Sequence, residues 1–329
     1  MINNYIFPKI KENIITRNGY GSNFNELIIY DNKILKKSIN SYGNEKIENE
    51  IFFYEHFLNV AKNNHDIIHL IPKINKLNLF EHSIEMEYLS NYKPLYLVFS
   101  SLNDEAKNHI IAIILKKLDD MHKTRININK TQFKNDLEIE TLEKIKIRLS
   151  KVLNIVNRKP YCNVKHVNNF KIFSLNKIYQ IIQKNIIEYL NSSELSYEYG
   201  MIHGDCQFNN ILINQNNEMK FIDPRGYYGN SSIYGLIEYD IAKLCFALSG
   251  YDIFDNSECL DLYFSYDFDN INIDINIMCN SFIIEQSIII KTMMCAIWLG
   301  NSHIFINDEK KCMTSYFMAM YMCSVYLQN

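Results

Sequence analysis

The sequence has no excess of basic residues, and this absence limits the partners we expect. It contains 34 Lys and Arg against 37 Asp and Glu, which gives a formal net charge of −3 at pH 7. Because nucleic-acid binding depends on a basic surface, we expect no nucleic acid among its partners. With 47% hydrophobic and 22% charged residues, the 329-residue chain has the composition of a globular protein with one large core or two modest ones.

The sequence also shows no stretch with the residue pattern of a membrane-spanning segment or of a signal peptide. The most apolar region, residues 281–300, carries Glu285, Gln286 and Lys291, which a hydrocarbon environment would penalise. The first residues, MINNYIFPKIKEN, lack the basic start, the apolar run and the small-residue site of a signal peptide. We therefore expect no membrane partner and a cytoplasmic location.

The eight cysteines show neither a metal-binding nor a disulfide pattern. None belongs to a CxxC pair, and most lie in apolar stretches. Reduced, buried thiols fit this distribution better than zinc ligands or a disulfide framework.

Alternating apolar residues predict a β-rich beginning for the chain. Two strands at residues 26–30 and 33–39 are joined at Asp31-Asn32, which is typical of a tight hairpin turn. Apolar residues at helical spacing predict a helix over residues 45–60, and a further strand is expected at residues 84–89.

Beyond these strands the pattern becomes helical. Apolar stripes predict three helices, over residues 104–122, 142–156 and 175–189. A compact strand-turn-strand unit is expected after them, at residues 201–223. No internal repeat or low-complexity linker interrupts the chain. The sequence thus predicts an α+β protein with a small β-rich lobe, residues 1–91, and a larger, mainly helical lobe, residues 92–329.

Candidate chemistry is concentrated in residues 201–226. This segment places Asp205 in a loop after a short strand, Asn210 at the start of the next strand, and Asp223 at the end of a third. Magnesium prefers hard oxygen ligands, and a separate carboxylate can orient a hydroxyl and accept its proton. Two carboxylates and an amide at the ends of adjacent strands therefore suit phosphoryl transfer. The alternative is a hairpin in which these residues only form turns.

The pattern H-G-D-x-x-x-x-N, followed by I-D at residues 222 and 223, resembles the aminoglycoside phosphotransferase and choline kinase superfamily. The resemblance implies a bilobal protein-kinase-like fold, the cofactors ATP and Mg²⁺, and a small molecule with a hydroxyl group as the acceptor. It also implies that His203 braces the loop and that Asp205 is the catalytic base. Asn210 and Asp223 would be the metal ligands. The oligomeric state is left open.

Residues near the beginning of the chain extend the resemblance to the nucleotide. Gly21-Ser22-Asn23 resembles the family's phosphate loop, where glycine lets backbone N–H groups approach phosphates, although an ordinary turn would use the same residues. Lys36, in preference to the adjacent Lys37, resembles the strand lysine that grips the α and β phosphates. Strand alternation puts Ile34 on the same face, where it would form the floor of an adenine pocket.

The helix and the strand that follow carry further matches. Glu50 resembles the helix carboxylate that pairs with the phosphate-binding lysine, with Glu48 and Glu55 as alternatives. Residues 84–89 resemble the hinge, in which backbone groups near Glu87 and Leu89 would bind the adenine edge.

Two motifs outside the main segment resemble supports of the catalytic loop. Residues 118–122 resemble the helix end Leu-x-x-x-His that is found in these kinases. Asp240 resembles the buried aspartate that holds the catalytic loop; the alternative is an acidic residue that only favours a helix N-terminus.

Departures from protein kinases bear on regulation and substrate. Gly204 stands where protein kinases have an arginine that reads a phosphorylated activation loop, so we expect no such phosphorylation. Asp223 is followed by Pro-Arg-Gly instead of Phe-Gly, and Asp-Pro followed by Tyr-Gly is similar to kinases that act on sugars. Arg225 would either touch an acidic substrate group or form a structural ion pair.

Between Lys243 and Lys291 the sequence contains acidic residues but no basic ones. Such a stretch either forms a solvated face or draws a cationic acceptor towards the site.

The motifs and the resemblance together favour an ATP-dependent kinase acting on a sugar, amino sugar or amino alcohol. A nucleotide-binding regulator without turnover is the alternative, and a protein kinase is a weaker third hypothesis.

Overall fold

The computed structural model describes residues 13–14, 24–64, 66–160, 162–193, 195–256, 265–267, 269–273 and 281–328. The predicted phosphate loop, Gly21-Ser22-Asn23, lies outside these ranges.

The described residues form short strands and longer helices in a mixed order. The strands are β1 Asn13–Ile14, β2 Asn25–Tyr30, β3 Lys33–Ser38, β4 Ile74–Asn78, β5 Ser83–Glu87, β6 Lys93–Pro94, β7 Arg125–Asn127, β8 His166–Val167, β9 Phe170–Lys171, β10 Glu198–Met201, β11 Ile211–Ile213, β12 Met219–Phe221, β13 Tyr234–Gly235, β14 Ser265–Asp267 and β15 Asn270–Asn272. The helices are α1 Ser41–Ala61, α2 Tyr96–Phe99, α3 Asp104–His122, α4 Lys130–Glu138, α5 Lys144–Val156, α6 Leu175–Leu190, α7 Ile237–Leu248, α8 Tyr251–Asn256, α9 Ser281–Glu285, α10 Ile288–Asn301 and α11 Glu309–Tyr326.

The first sheet has the order β1-β2-β3-β5-β4, and every neighbouring pair in it is antiparallel. Its β2–β3 hairpin turns at Asp31 and Asn32, whose φ angles of 46° and 59° are the left-handed values that a two-residue hairpin needs. Helix α1 follows β3 and begins where the side chain of Asn40 accepts a hydrogen bond from the Gly43 N–H. The predicted β-rich beginning of the chain is confirmed.

Helix α10 lies at the centre of the helical part and packs against α5, α6, α7 and α11. The window Ile288–Phe305 within the described residues is long and apolar enough to cross a membrane, but 78% of it is buried inside the protein. Its apolar residues therefore serve as the core around which the other helices pack.

Three small sheets accompany the helices, with the orders β13-β10-β7, β12-β11-β6 and β14-β15-β8-β9. The expectation that Asp205, Asn210 and Asp223 lie at the ends of adjacent strands is wrong in one respect, because β10 belongs to a different sheet from β11 and β12. Strand β10 instead pairs with β7 and β13, and the loop after it crosses from one sheet to the next. The lobe boundary at residue 91 stays a prediction.

Candidate active site

A loop between β10 and β11 carries the predicted base, and one buried carboxylate holds its start. Asp240 on α7 is fully buried and accepts hydrogen bonds from the backbone N–H groups of His203 (2.9 Å) and Gly204 (2.7 Å). His122, the last residue of α3, donates to the same carboxylate through Nε2 at 3.0 Å. Burial opposes the charge of Asp240, but His122 and these donors outweigh it and lower its pKa.

His203 joins this loop to the segment that ends at Asp223. Its Nε2 lies 3.1 Å from the Ile222 carbonyl oxygen, and its Nδ1 lies 3.3 Å from the Asp205 backbone nitrogen. A carbonyl only accepts and a backbone N–H only donates, so the ring is neutral with its proton on Nε2. Burial lowers the pKa of His203, in agreement with a neutral ring. His203 therefore braces two chain segments and carries no charge.

Both carboxylate oxygens of Asp205 have partners within the protein. Oδ2 accepts a hydrogen bond from the Asn210 side-chain amide at 3.1 Å, and Oδ1 lies 2.8 Å from the Nζ of Lys243 on α7. The Asn210 amide also donates to the Asp205 carbonyl at 2.9 Å. Burial raises the pKa of Asp205, but the Lys243 ammonium outweighs it, and the net shift is downward. With 29% of its side chain exposed, Asp205 is both fixed and accessible.

Asp223 is brought to the same place by a backbone bond and an unusual conformation. The Ile222 N–H donates to the Asn210 carbonyl at 3.0 Å, which ties the end of β12 to the catalytic loop. Asp223 itself has a φ angle of 57°, a left-handed value that turns the chain away from the strand. The structure thus brings together Asp205, Asn210 and Asp223, which are separated along the chain.

Lys36 connects this group to the first sheet. Its Nζ lies 2.9 Å from Asp223 Oδ1 and 2.5 Å from Glu50 Oε2 on α1. Burial opposes the charge of Lys36, but the two carboxylates outweigh it and raise its pKa. Burial raises the pKa of Glu50 to about 7, against the effect of the ammonium. One lysine therefore links β3, α1 and the Asp223 segment.

The alternatives to these two residues lie elsewhere. Lys37 is exposed, and so are Glu48 and Glu55 on α1. Glu48 pairs instead with His82, 3.1 Å away. The geometry therefore selects Lys36 and Glu50 as the lysine and carboxylate at the site.

The residues predicted to contact adenine lie in or just after β3 and β5, two inner strands of the first sheet. Ile34 is half-buried opposite Met86 in the β3–β5 pairing. The Glu87 N–H donates to the Lys73 carbonyl, and the Leu89 carbonyl accepts from the Tyr92 N–H. The roles of Ile34, Glu87 and Leu89 in binding adenine stay predictions.

Arg225 forms a structural ion pair, one of the two alternatives that the sequence left open. Its guanidinium makes two hydrogen bonds to Glu140, at 2.6 and 2.7 Å, and a third to the Tyr239 hydroxyl at 2.8 Å. Glu140 also accepts from Lys144 and from the Gly229 N–H. The segment after Asp223 is therefore tied to the helical part through a nearly fully buried carboxylate.

Three described members of the acidic stretch have partners within the protein. Asp252 on α8 is 1% exposed and accepts from the backbone N–H groups of Phe208 (3.0 Å) and Asn209 (2.9 Å). Asp255 lies 3.6 Å from Lys311, and Asp269 lies 3.4 Å from His166. These contacts give Asp252 a role in holding the catalytic loop, and the attraction of a cationic acceptor by this stretch stays a prediction. Glu258, Asp261 and Asp274 lie outside the described residues.

Sequence reasoning identified neither Lys243 nor Glu140 as a residue of the site, and it named Asp252 only as a member of the acidic stretch and not as a support of the loop. For Lys243 a signal existed, because it follows the predicted support Asp240 by three residues, which puts both on one face of a helix. Asp252 and Glu140 act on loops that are distant in sequence, and their spacing gave no indication of it.

The residues at the site fit a magnesium ion that arrives together with phosphate. Among the described residues no group of three or more His, Cys, Asp and Glu could hold a metal ion by itself. Asp223 and Asn210 offer a carboxylate and an amide, which are hard oxygen ligands. Magnesium is commonly held by one or two such protein groups, with substrate phosphates and water completing its shell.

No protein-family model matches the sequence, and a search of curated proteins finds no match either. Solved structures do match. A choline/ethanolamine kinase family protein from Mesorhizobium loti has 10% identity and a TM-score of 0.54, over 98% of this chain and 92% of that one.

Two further structures match over most of their length. An ethanolamine kinase from Plasmodium vivax has 14% identity and a TM-score of 0.51, over 97% of this chain and 83% of that one. An aminoglycoside phosphotransferase solved with GDP and kanamycin has 11% identity and a TM-score of 0.51, over 97% and 95% of the two chains. At this level of identity the likeness shows the fold, and the chain therefore has the protein-kinase-like fold of choline/ethanolamine kinases and aminoglycoside phosphotransferases.

Proposed function

We propose that this protein is an ATP-dependent phosphotransferase that phosphorylates a hydroxyl group of a small molecule. The observation that carries the proposal is the convergence of four side chains from three parts of the chain: β3, the loop between β10 and β11, and the segment after β12. Asp205 and Asn210 are hydrogen-bonded to each other. The backbone carbonyl of Asn210 accepts a hydrogen bond from the Ile222 N–H, and Asp223, the residue after Ile222, is paired with Lys36. Phosphoryl transfer requires positioning and charge neutralisation, and this group supplies both.

Each residue has a task that follows from its surroundings. Asp205, ionised and held by Asn210, would orient the acceptor hydroxyl and accept its proton. Lys36 carries a positive charge that a phosphate oxygen can share with Glu50. Asn210 and Asp223 would hold Mg²⁺, which neutralises charge on the phosphates when it is bound. His203 keeps the two segments in register.

A small-molecule acceptor is supported by the fold. The structures that share the fold are described as choline/ethanolamine kinases and as a complex with kanamycin. We propose a sugar, amino sugar or amino alcohol as the acceptor and a cytoplasmic location, where ATP and magnesium are present. No part of this proposal requires phosphorylation of the protein itself, because Gly204 occupies the place of the arginine that would read it.

Nucleotide binding is the first test. A site of micromolar affinity at saturating ligand raises the free energy of unfolding by roughly 3–4 kcal/mol, so ATP with magnesium should raise the melting temperature. GTP should be tested beside ATP, with and without the metal. The absence of a shift with every purine nucleotide would contradict the proposal.

Turnover is the second test. Release of ADP from ATP should be measured with sugars, amino alcohols and aminoglycosides as acceptors. Binding of nucleotide without ADP release from any acceptor would instead support a regulator that has the fold but lacks the activity.

A further inference from the structure

Helix α7 carries a lysine that reaches the predicted base. Lys243 Nζ lies 2.8 Å from Asp205 Oδ1, and only 14% of its side chain is exposed. Its ammonium also lies 5.6 Å from the centre of the Phe246 ring, one turn further along the helix. Lys243 is the only Lys, Arg or His in residues 226–290. The single basic residue of this stretch is therefore directed at the one carboxylate that would take the proton.

The position of Lys243 on α7 connects it to a second support of the same loop. Asp240 lies three residues earlier, so the two side chains project from the same face of the helix. Asp240 fixes the backbone at His203 and Gly204, and Lys243 reaches the side chain of the next residue. One turn of α7 thus contacts both the backbone at residues 203 and 204 and the side chain of the predicted base, Asp205.

We propose that Lys243 is a positioning residue that fixes the Asp205 carboxylate in the orientation in which it meets the acceptor hydroxyl. The proposal rests on the proposed phosphotransferase function. A carboxylate held through one oxygen rotates about its Cβ–Cγ bond, whereas Asn210 and Lys243 hold Asp205 through both oxygens. Misplacement of a reacting group by about 1 Å can cost about 10²-fold in rate, so such a restraint matters for turnover.

The location of the contact favours this role over simple stabilisation of the fold. Burying a lysine and a carboxylate costs desolvation energy that their attraction often only offsets. The pair joins the catalytic loop to a helix that already binds this loop through Asp240, so the loop remains anchored to α7 without it. What the contact adds is a fixed direction for a carboxylate that is 29% exposed.

The contact is tested first without any ligand, by thermal unfolding of four proteins: wild type, Lys243→Met, Asp205→Asn and the double variant. We expect the change in Tm caused by Lys243→Met to differ by at least about 2 °C between the wild-type and Asp205→Asn backgrounds. Equal changes in the two backgrounds would show that the two side chains do not interact and would overturn the proposal.

Turnover is tested with ATP, magnesium and the best acceptor from the screen, or with water as the acceptor. Lys243→Met should lower kcat by about 10- to 100-fold and leave the KM for ATP and the ATP-induced Tm shift unchanged. Lys243→Arg, which keeps the charge and a donor, should recover most of the loss. A normal kcat in a folded Lys243→Met variant would overturn the proposal, and so would a loss shared equally by kcat and nucleotide binding.

Lys311→Met is the matched control. Lys311 is 19% exposed, pairs with Asp255 and lies 4.8 Å from the centre of the Phe305 ring, so it resembles Lys243 in burial and surroundings. Its loss should lower Tm without lowering kcat. A wild-type protein that releases no ADP with any acceptor would contradict the proposed function itself, whereas an active wild type with an unaffected Lys243→Met variant contradicts this inference alone.

Discussion

The two sides of the site are held together by different kinds of bonds. On the side of the first sheet, Lys36 joins Glu50 and Asp223 through ion pairs between side chains. On the helical side, Asp240 and Asp252 accept hydrogen bonds from the backbone of the catalytic loop at residues 203, 204, 208 and 209. The first set lies where phosphates are expected, and the second lies beneath the loop.

Because of this difference, a bound ligand can replace contacts on the sheet side of the site but not those on the helical side. A phosphate oxygen can take the place of a carboxylate beside a lysine ammonium. No ligand can replace a buried carboxylate beneath the loop, and a buried N–H without an acceptor costs about 1–3 kcal/mol. The sheet side can therefore adapt to a ligand that carries phosphate, whereas the helical side holds the backbone on both sides of Asp205 in place.

The hydrogen bonds on the helical side are tested most directly by substitution of Asp240. Asp240→Ala leaves two backbone N–H groups and His122 without their acceptor, and we expect a loss of about 3–5 kcal/mol in the free energy of unfolding, measured in urea. Asp269→Ala is the control, since Asp269 is 47% exposed and pairs with His166 on the surface. A similar cost for both substitutions would contradict the comparison.

The roles of the two carboxylates are separated by Asp205→Asn and Asp223→Asn. Asp205→Asn keeps the size of the side chain but cannot accept the proton, so turnover should fall at least ~10²-fold while ATP still raises Tm. Asp223→Asn should instead weaken nucleotide binding that depends on magnesium. Kinetics and thermal shift with and without the metal distinguish the two variants, and near-normal turnover in Asp205→Asn would place the base elsewhere.

The junction between the two sides is tested at Gly226. Its φ angle is 78°, and a Cβ there would lie 2.1 Å from the carbonyl oxygen of Asn49 on α1. Gly226→Ala should therefore lower stability by roughly 2 kcal/mol and reduce turnover, because either the loop or α1 must shift. Gly300→Ala is the control, since a Cβ there would meet no atom closer than 3.5 Å. Equal stability of the two variants would show that the close approach is not needed.

The smallest effect is a pH dependence at Asp252. Burial raises the pKa of Asp252 to about 7, above its ordinary value, so the folded protein keeps a proton that the unfolded chain releases at lower pH. This contribution to stability is present below about pH 4 and is lost as the pH rises towards about 7. Relative to Asp252→Asn, the wild type should lose roughly 1–2 kcal/mol between pH 4.5 and pH 6. A relative gain over this range would contradict the assignment.

Local features of the site could be predicted from the sequence because short-range spacing determines them. The hairpin at Asp31-Asn32 and helix α3 follow from turn chemistry and periodicity, and the predicted bounds of α3 agree with the structure. Alternation also identifies Lys36 as the inward lysine of β3, because successive side chains of a strand point to opposite faces.

Tertiary contacts of the loop could not be predicted in the same way. The buried carboxylates of Glu140 and Asp252 bind partners far along the chain, and neither lies in a pattern that distinguishes it from a surface residue. The pairing of β10 with β7 and β13 was missed because strands of two to four residues carry too little alternation to indicate a partner. The predicted phosphate loop lies outside the described residues, and its role stays a prediction.

The close approach at Gly226 has a mechanical consequence. Helix α1 carries Asn49, whose carbonyl fits against Gly226, and the next residue is Glu50, which holds Lys36. An outward swing of α1 would open the Gly226 contact and pull Glu50 away from Lys36 at once. The position of α1 therefore determines both contacts, so that one displacement of this helix would alter the packing at Gly226 and the Lys36–Glu50 pair together.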